Sequence, residues 1–301
     1  MKEILPLQKL DWTNYLNIVD FIDSFEFIRE FWSPIAIMSW EFYNFKFYIH
    51  SFNDVILFYI YDPHKNNYCL STCFYQNNFQ LSNYREIILN DLKILNKNLN
   101  PEIEFNQISI QMIQDWKLDL NKFEVINYVS NYFYYLDSFF EFDGKKLQKK
   151  RNNLHYFLKQ NYQIKIVNIK EICKNELIEF CTNNMLSTNQ SIDERELNVY
   201  KQFINYEMHK SNKYVGIGIY LNNTLSAITL CYLRKEICEV IIERANKNIR
   251  GLYQYLISSN IKFNNINQKY MDRQDDNGNS LLAQSKNSYH PIDKIRRYYS
   301  K

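Results

Sequence analysis

The first 143 residues contain no glycine; all five glycines (Gly144, Gly216, Gly218, Gly251, Gly278) lie in the second half. In a chain this poor in the residue, each glycine answers a backbone need, so attention moves to that half. Paired metal-ligand spacing is also lacking. The six cysteines (Cys69, Cys73, Cys173, Cys181, Cys231, Cys238) include no C-x-x-C, and His50, His64, His155, His209 and His290 are dispersed. A zinc-type site is not indicated, and scattered cysteines in a long chain without a signal peptide read as small buried thiols. The longest apolar runs, such as FWSPIAIMSW, fall well short of the ~20 residues of a membrane-spanning helix. The charged start MKEILPLQKL is no signal h-region, so a cytoplasmic location is expected. Excess charge is small: 36 Lys and Arg against 33 Asp and Glu. Affinity for a polyanion would therefore have to come from local clustering.

What is present is a 301-residue chain with 46% hydrophobic residues, enough for one large or two ordinary domains. Its 25 Tyr and 21 Phe, with abundant Asn, Lys and Ile, read first as the coding bias of an AT-rich genome. Single aromatics carry little weight against that background.

The order of elements is clearest after residue 190. SIDE (191–194) fits a capping box ahead of a helix. KYVGIGIY (213–220), TLSAITLCYL (224–233) and EICEVIIER (236–244) read as strands, the first two joined by an Asn222-Asn223 turn. IRGLYQYLISSNIKF (249–263) is a helix with Leu252, Leu256 and Ile257 on one face, and KYMDRQ (269–274) is a short final strand. The first half shows a similar order. FKFYIHS and VILFYIY flank a hairpin signal at Phe52-Asn53-Asp54, YCLSTCFY is a third strand, REIILNDLKILNKNL a helix and IEFNQISI (103–110) a strand. This predicts an α+β chain of two related units, 1–124 and 125–301.

Three segments carry candidate chemistry. GKKLQKKRNNLHYFLK (144–159) holds Lys145, Lys146, Lys149, Lys150 and Arg151 with no acid. Asp143 reads as its helix N-cap, with Leu147, Leu154 and Leu158 facing a core. Cations in a first helical turn oppose the helix dipole, and like charges at i,i+4 repel. A polyanion such as RNA, a nucleotide or an anionic lipid surface would relieve both costs, whereas a solvated helix face is the ordinary explanation. In the second segment, VIIERANKNIRGLYQ, Arg250 and Gly251 stand where a helix begins, a serviceable phosphate or carboxylate site. Short glycine motifs are frequently accidental, and a loop glycine beside a solvated arginine is the more economical account. The third segment, MDRQDDNGNSLLAQSKNSYHP (271–291), places Arg273, Asp275 and Asp276 before a turn, and Lys286, Tyr289 and His290 after a short helix. Adjacent carboxylates on a strand point to opposite faces, so Asp275 and Asp276 form no dyad.

Together and in order, these segments resemble the phosphatidylglycerol lysyltransferase C-terminal domain-like family, over roughly 125–300. The resemblance implies tandem GNAT-like acyltransferase units and transfer of an aminoacyl group from aminoacyl-tRNA to a lipid or other amine or hydroxyl acceptor. It implies no bound cofactor. By position it carries function to Gly144, Lys145, Lys146, Lys149, Arg151 and Asn152. In the second motif it touches Glu243, Arg250, Gly251, Tyr253 and Gln254. In the third it touches Arg273, Asp276, Gly278, Lys286, Tyr289 and Pro291. Glu243 is then the candidate for proton removal or for gripping an ammonium, and Arg250 for holding negative charge. Tyr253, Arg273, Lys286 and Tyr289 complete the catalytic group. The basic stretch, Lys150 included, together with Gly251, Gln254 and Asp276, would hold tRNA or another polyanion, or touch an anionic membrane. Two departures stand out: Asp272-Arg273-Gln274 where the family has Asn-Arg-Glu, and Leu282-Ala283 where it has Leu-Arg. An acyl-CoA donor would want a second small residue in the Asn248–Leu252 loop, which is absent. A non-catalytic RNA binder of the same fold is the alternative outside enzymes.

Overall fold

The computed structural model describes residues 6–23, 34–52, 55–75, 80–128, 131–189 and 192–301. The chain divides into two units. One comprises residues 1–130 with 295–301, the other 131–294. Sequence had placed the division at 124/125, and the last seven residues return to the first unit rather than closing the second.

In the first unit a sheet runs β1 (Gln8–Leu10), β2 (Phe47–Phe52), β3 (Val55–Asp62), β4 (Asn67–Leu70), with β5 (Phe74–Tyr75) also pairing β3. β2 alternates buried and half-buried residues, as expected where one face packs on a core. β3 is buried almost throughout. The β2–β3 register, Phe52 opposite Val55, fits the expected hairpin, although Asn53 and Asp54 lie outside the described residues. Among the described residues, four α-helices belong to this unit: α1 (Tyr15–Asp23), α2 (Pro34–Ser39), α3 (Leu81–Asn96) and α4 (Ile110–Asp115). YCLSTCFY is broken into two short strands rather than one. The segment 103–110 is not a strand. It makes only isolated bridges at Phe105 and Ile108, because Ser109 caps the Met112 N–H at 3.1 Å and starts α4 at Ile110. β6 (Phe123–Val125) follows.

The second unit is built on β7 (Asn131–Tyr135), β8 (Ile164–Asn168), β9 (Tyr214–Leu221), β10 (Thr224–Leu233), β11 (Ile237–Ala245), β12 (Tyr270–Asp272) and β13 (Asp293–Ile295). The sheet order is β13-β7-β12-β11-β10-β9-β8. Its helices are α5 (Gln148–Leu158), α6 (Lys174–Asn189), α7 (Glu194–Gln202), α8 (Leu252–Phe263) and α9 (Ser280–Asn287). The strand–strand–strand–helix–strand order read from 213–274 is present as expected. Asn222 and Asn223 both have positive φ between the paired Leu221 and Thr224, a two-residue hairpin turn. β14 (Tyr298–Ser300) pairs β6 within the first unit.

Three local expectations change. α7 is capped by Asp193, which accepts from the Arg195 and Glu196 amides; Ser191 lies outside the described residues. α5 begins at Gln148 with Leu147 as its uncapped N-cap, so Asp143 caps nothing and Lys145 and Lys146 precede the helix. Leu158 is 53% exposed; Phe157 takes its place beside Leu154 in the core. Of the cysteines, Cys173 is exposed and the other five are buried.

Candidate active site

β11 and β12 are parallel, but they pair only from Ile237↔Tyr270 to Glu239↔Asp272. β11 continues to Ala245, past a register shift against β10 between Leu230 and Cys231. Beyond Asp272 the β12 chain turns away, with Gln274 at φ 59°. The carboxyl ends of the parallel pair therefore open, which is where ligand crevices form in parallel sheets. Glu243 and Arg273 occupy these two ends.

There Arg273 Nη2 donates to Glu243 Oε1 at 2.6 Å, both side chains being only 10% exposed. Burial works against the guanidinium charge, yet Glu243 beside it holds the Arg273 pKa above its ordinary value. Two donors or acceptors of the pair stay open. Arg273 Nη1 is buried without a hydrogen-bond partner. Glu243 Oε2 engages no described group.

Tyr289, buried, lies 4.6 Å from the Arg273 guanidinium carbon and stacks on Phe139. Gln254 Nε2 donates to the Tyr289 hydroxyl at 2.6 Å. The tyrosine oxygen is thus an acceptor there, and its own proton remains free to donate. Burial raises its pKa, so it stays a neutral donor. Tyr253, half-buried, also has a raised pKa through burial, and it feels the charges of Glu243, Arg244 and Arg273.

Glu243, Arg273, Tyr289, Tyr253 and Gln254 are therefore brought to one place. Other expected members have different duties. Lys286 Nζ donates to the carbonyls of Arg273 (2.6 Å), Gln274 (3.3 Å) and Asp275. That lysine clamps the loop after β12, and burial pushes its pKa down to about 8. Asp276 accepts the Tyr132 hydroxyl at 2.6 Å and the Gly278 amide at 3.0 Å, a buried turn anchor. Arg250 is exposed; its Nε donates to Asn153 Oδ1 at 3.0 Å and its guanidinium lies over Tyr156. Gly251 has φ +86°, and a Cβ there would lie 2.1 Å from the Asn153 carbonyl oxygen. The close approach this glycine permits is that of α5, not of an anion.

The basic stretch likewise divides. Lys145, Lys146, Lys149 and Asn152 are exposed. Arg151 donates to the Phe142 and Gly144 carbonyls and ties down the turn before α5. Lys150 turns inward, its Nζ 3.8 Å from the centre of the Tyr289 ring.

Sequence reasoning missed a neighbouring cluster. Arg244 donates to Glu196 and to the Tyr200 hydroxyl, linking β11 to α7. It also missed Asp272, which accepts from Asn131 at 2.7 Å. Burial, with Glu239 nearby, pushes the Asp272 pKa up to about 7. The only signal for Arg244 was its place beside Glu243; no spacing points from residue 196 to 244.

An α+β chain whose second unit carries such a crevice is of acyltransferase-like architecture. It shares its fold, at 6% identity and a TM-score of 0.51, with a tandem GNAT protein from the clavulanic acid biosynthesis pathway, covering 99% of this chain and 98% of that one. The family described as phosphatidylglycerol lysyltransferase, C-terminal, matches residues 84–301, and the chain belongs to it. That match starts some forty residues before the segment where the sequence resemblance is clear. A solved structure from Bacteroides thetaiotaomicron, of a conserved protein of unknown function, superposes with a TM-score of 0.77 at 19% identity, over 99% of this chain and 100% of that one. The L-PGS structure from Bacillus licheniformis gives 0.58 at 11%, over 98% and 93%. An uncharacterised protein of Mycoplasmoides gallisepticum is 30% identical over 190 residues; the match spans 62% of this chain and 61% of that relative's length. No described helix is long and apolar enough to cross a membrane.

Proposed function

We propose that the second unit transfers an aminoacyl group from aminoacyl-tRNA to an amine or hydroxyl acceptor. The observation that carries this reading is the buried Glu243–Arg273 pair beside Tyr289 at the open ends of β11 and β12. Family membership supports the reaction class. In the transfer, the acceptor oxygen or nitrogen attacks the ester carbonyl and forms the new C–O or C–N bond. The bond to the ribose oxygen of the tRNA breaks. Glu243, through Oε2, takes the acceptor proton, which passes to the departing ribose oxygen. Arg273 Nη1 and the Tyr289 hydroxyl face the negative charge that develops on the carbonyl oxygen. Arg250 has no part in this step, and Lys286 acts by fixing the loop that carries Arg273. Lys145, Lys146, Lys149 and Asn152 form the exposed basic surface for the tRNA, or for an anionic membrane that holds the acceptor.

A coenzyme A donor is less well served, since Asn153 crowds the start of α8 where its pyrophosphate would be held. The test is transfer of radiolabelled amino acid from a mixed aminoacyl-tRNA pool into lipid-extractable and soluble fractions. Label should appear in one of them and be lost in Glu243→Gln and Arg273→Gln. Absence of label from both, with salt-sensitive tRNA binding intact, would leave a non-catalytic RNA binder.

A further inference from the structure

Strand β11 changes course just before Glu243. Cys231 pairs with Val240 and the adjacent Leu230 pairs with Ile242, so Ile241 is an extra residue with no counterpart on β10. A bulge of this kind bends a strand and re-aims the side chains beyond it. Here it decides the faces. Ala245 packs with Leu252 and Leu256 of α8, and successive residues of a strand alternate. Glu243 therefore points to the α8 face and Arg244 to the opposite one. A one-residue slip that took up the bulge would exchange them. Beyond Glu239 the strand also loses β12 as a neighbour. Backbone bonds to Asn184 and Tyr253 hold its last residue, Ala245. On the other face, next to Glu243, the anchor is Arg244.

That anchor is a closed three-residue network. Arg244 Nε and Nη2 donate to the Tyr200 hydroxyl at 3.1 and 2.9 Å. Nη2 also donates to Glu196 Oε1, and the Tyr200 hydroxyl donates to the same oxygen. Glu196 and Tyr200 stand four residues apart on α7, hence on one face of a helix whose start is fixed by Asp193. Tyr200 is buried and Arg244 is only 16% exposed, so water replaces these bonds poorly if they break. We infer that Arg244 is a positioning residue: its tie to Glu196 and Tyr200 locks the bulged register of β11 and so keeps Glu243 on the crevice side, against Arg273. Displacing a catalytic group by about 1 Å costs about a hundredfold in rate, and a loss of this origin falls on kcat, not on KM. That the placement serves acyl transfer rests on the reading above; that Arg244 fixes Glu243 does not.

The experiment has two arms, both on the intact protein. Hydrogen exchange read by mass spectrometry should be faster over residues 240–246 in Arg244→Met than in the wild type, and unchanged over β9. In the transfer assay Arg244→Met should lose about tenfold or more in kcat per folded molecule, with the KM for aminoacyl-tRNA held within about twofold. Arg244→Lys, whose ammonium still reaches Glu196, should recover part of both. Tyr200→Phe removes one hydroxyl from the network, should show a smaller change of the same kind, and carries the test if Arg244→Met does not fold. Unchanged exchange over 240–246 would overturn the tie. So would a raised KM at constant kcat, which would make Arg244 a substrate contact, or a kcat per folded molecule equal to that of the wild type. If the wild type transfers nothing, the exchange arm decides the tie by itself, and only the transferase reading falls.

Discussion

Each unit sets a carboxylate among polar partners at its sheet, Asp91 in the first and Glu243 in the second, and the two are treated differently. In the first, Asp91 on α3 is 1% exposed and accepts from the Tyr59 hydroxyl at 2.6 Å and from His50 Nδ1 at 2.8 Å. Both bonds fall on the same oxygen, and the donors come from adjacent strands β2 and β3. This is a helix pinned to a sheet. In the second unit Glu243 meets a guanidinium that keeps a spare buried donor, next to a tyrosine that keeps a spare proton. A fold uses matched polar groups to hold itself together; unmatched ones at a crevice are available for chemistry.

Exchanging the two carboxylates should break this contrast most clearly. Glu243→Ala leaves the buried Arg273 unpaired, which costs about 3–5 kcal/mol of stability, and it should abolish transfer. Asp91→Ala should cost about 1–3 kcal/mol in urea melts and leave transfer per folded molecule unchanged. Loss of transfer in Asp91→Ala at full folding would place chemistry in the first unit and end the comparison.

Next in size is Gly251→Ala. Its methyl would overlap the Asn153 carbonyl, at a φ that L-residues resist, so a loss of about 2 kcal/mol or more is expected by urea unfolding. An unaffected melting curve would mean that α5 shifts freely, and with it Lys150.

The pH dependence sharpens the electrostatic half of the contrast. The Lys150 pKa is lowered in the folded state to about 8 from 10.5, so the unfolded chain binds more protons in that window. The penalty is fully present below about pH 8 and fades as pH rises to 10.5. Wild-type stability should therefore gain on Lys150→Met across pH 8 to 10.5, read as the difference between their urea midpoints. Asp272 works in the opposite direction. Its pKa is raised to about 7, so its ionisation costs stability as pH climbs from about 4 to 7, and Asp272→Asn should flatten that fall. Smallest is the effect of the exposed lysines. Each of Lys145→Gln, Lys146→Gln and Lys149→Gln should reduce the salt slope of tRNA binding by about one or less, without changing stability.

Much of the second unit was legible because its strands are long apolar runs with a clear Asn-Asn turn between two of them, and because α8 shows its apolar face at helical spacing. Glu243, Arg273 and Tyr289 were reached by resemblance of their motifs. What was not legible depends on contacts between distant positions. For Gly251 the sequence weighs an anion cradle against an ordinary loop glycine and reveals neither partner, because the Asn153 carbonyl that requires it lies almost a hundred residues upstream. Lys150 was grouped with Lys149, although a helix turns neighbours by about 100° and sends one to solvent and the other inward. The segment 103–110 reads as a strand by alternation, and only the cap at Ser109 shows that the helix has already begun.

Strand β7, which lies between β13 and β12, opens the second unit, whereas both of its partners come near the end. Tyr134 donates to the Lys286 carbonyl across 152 positions. During synthesis the strands β8 to β11 can pair as they emerge, while the crevice has no floor until the last quarter of the chain has left the ribosome. Closing so long a loop is slow compared with forming a hairpin. The candidate site is therefore the last part of the unit to be assembled, and a nascent or truncated chain would display four of the seven strands paired with no crevice beside them.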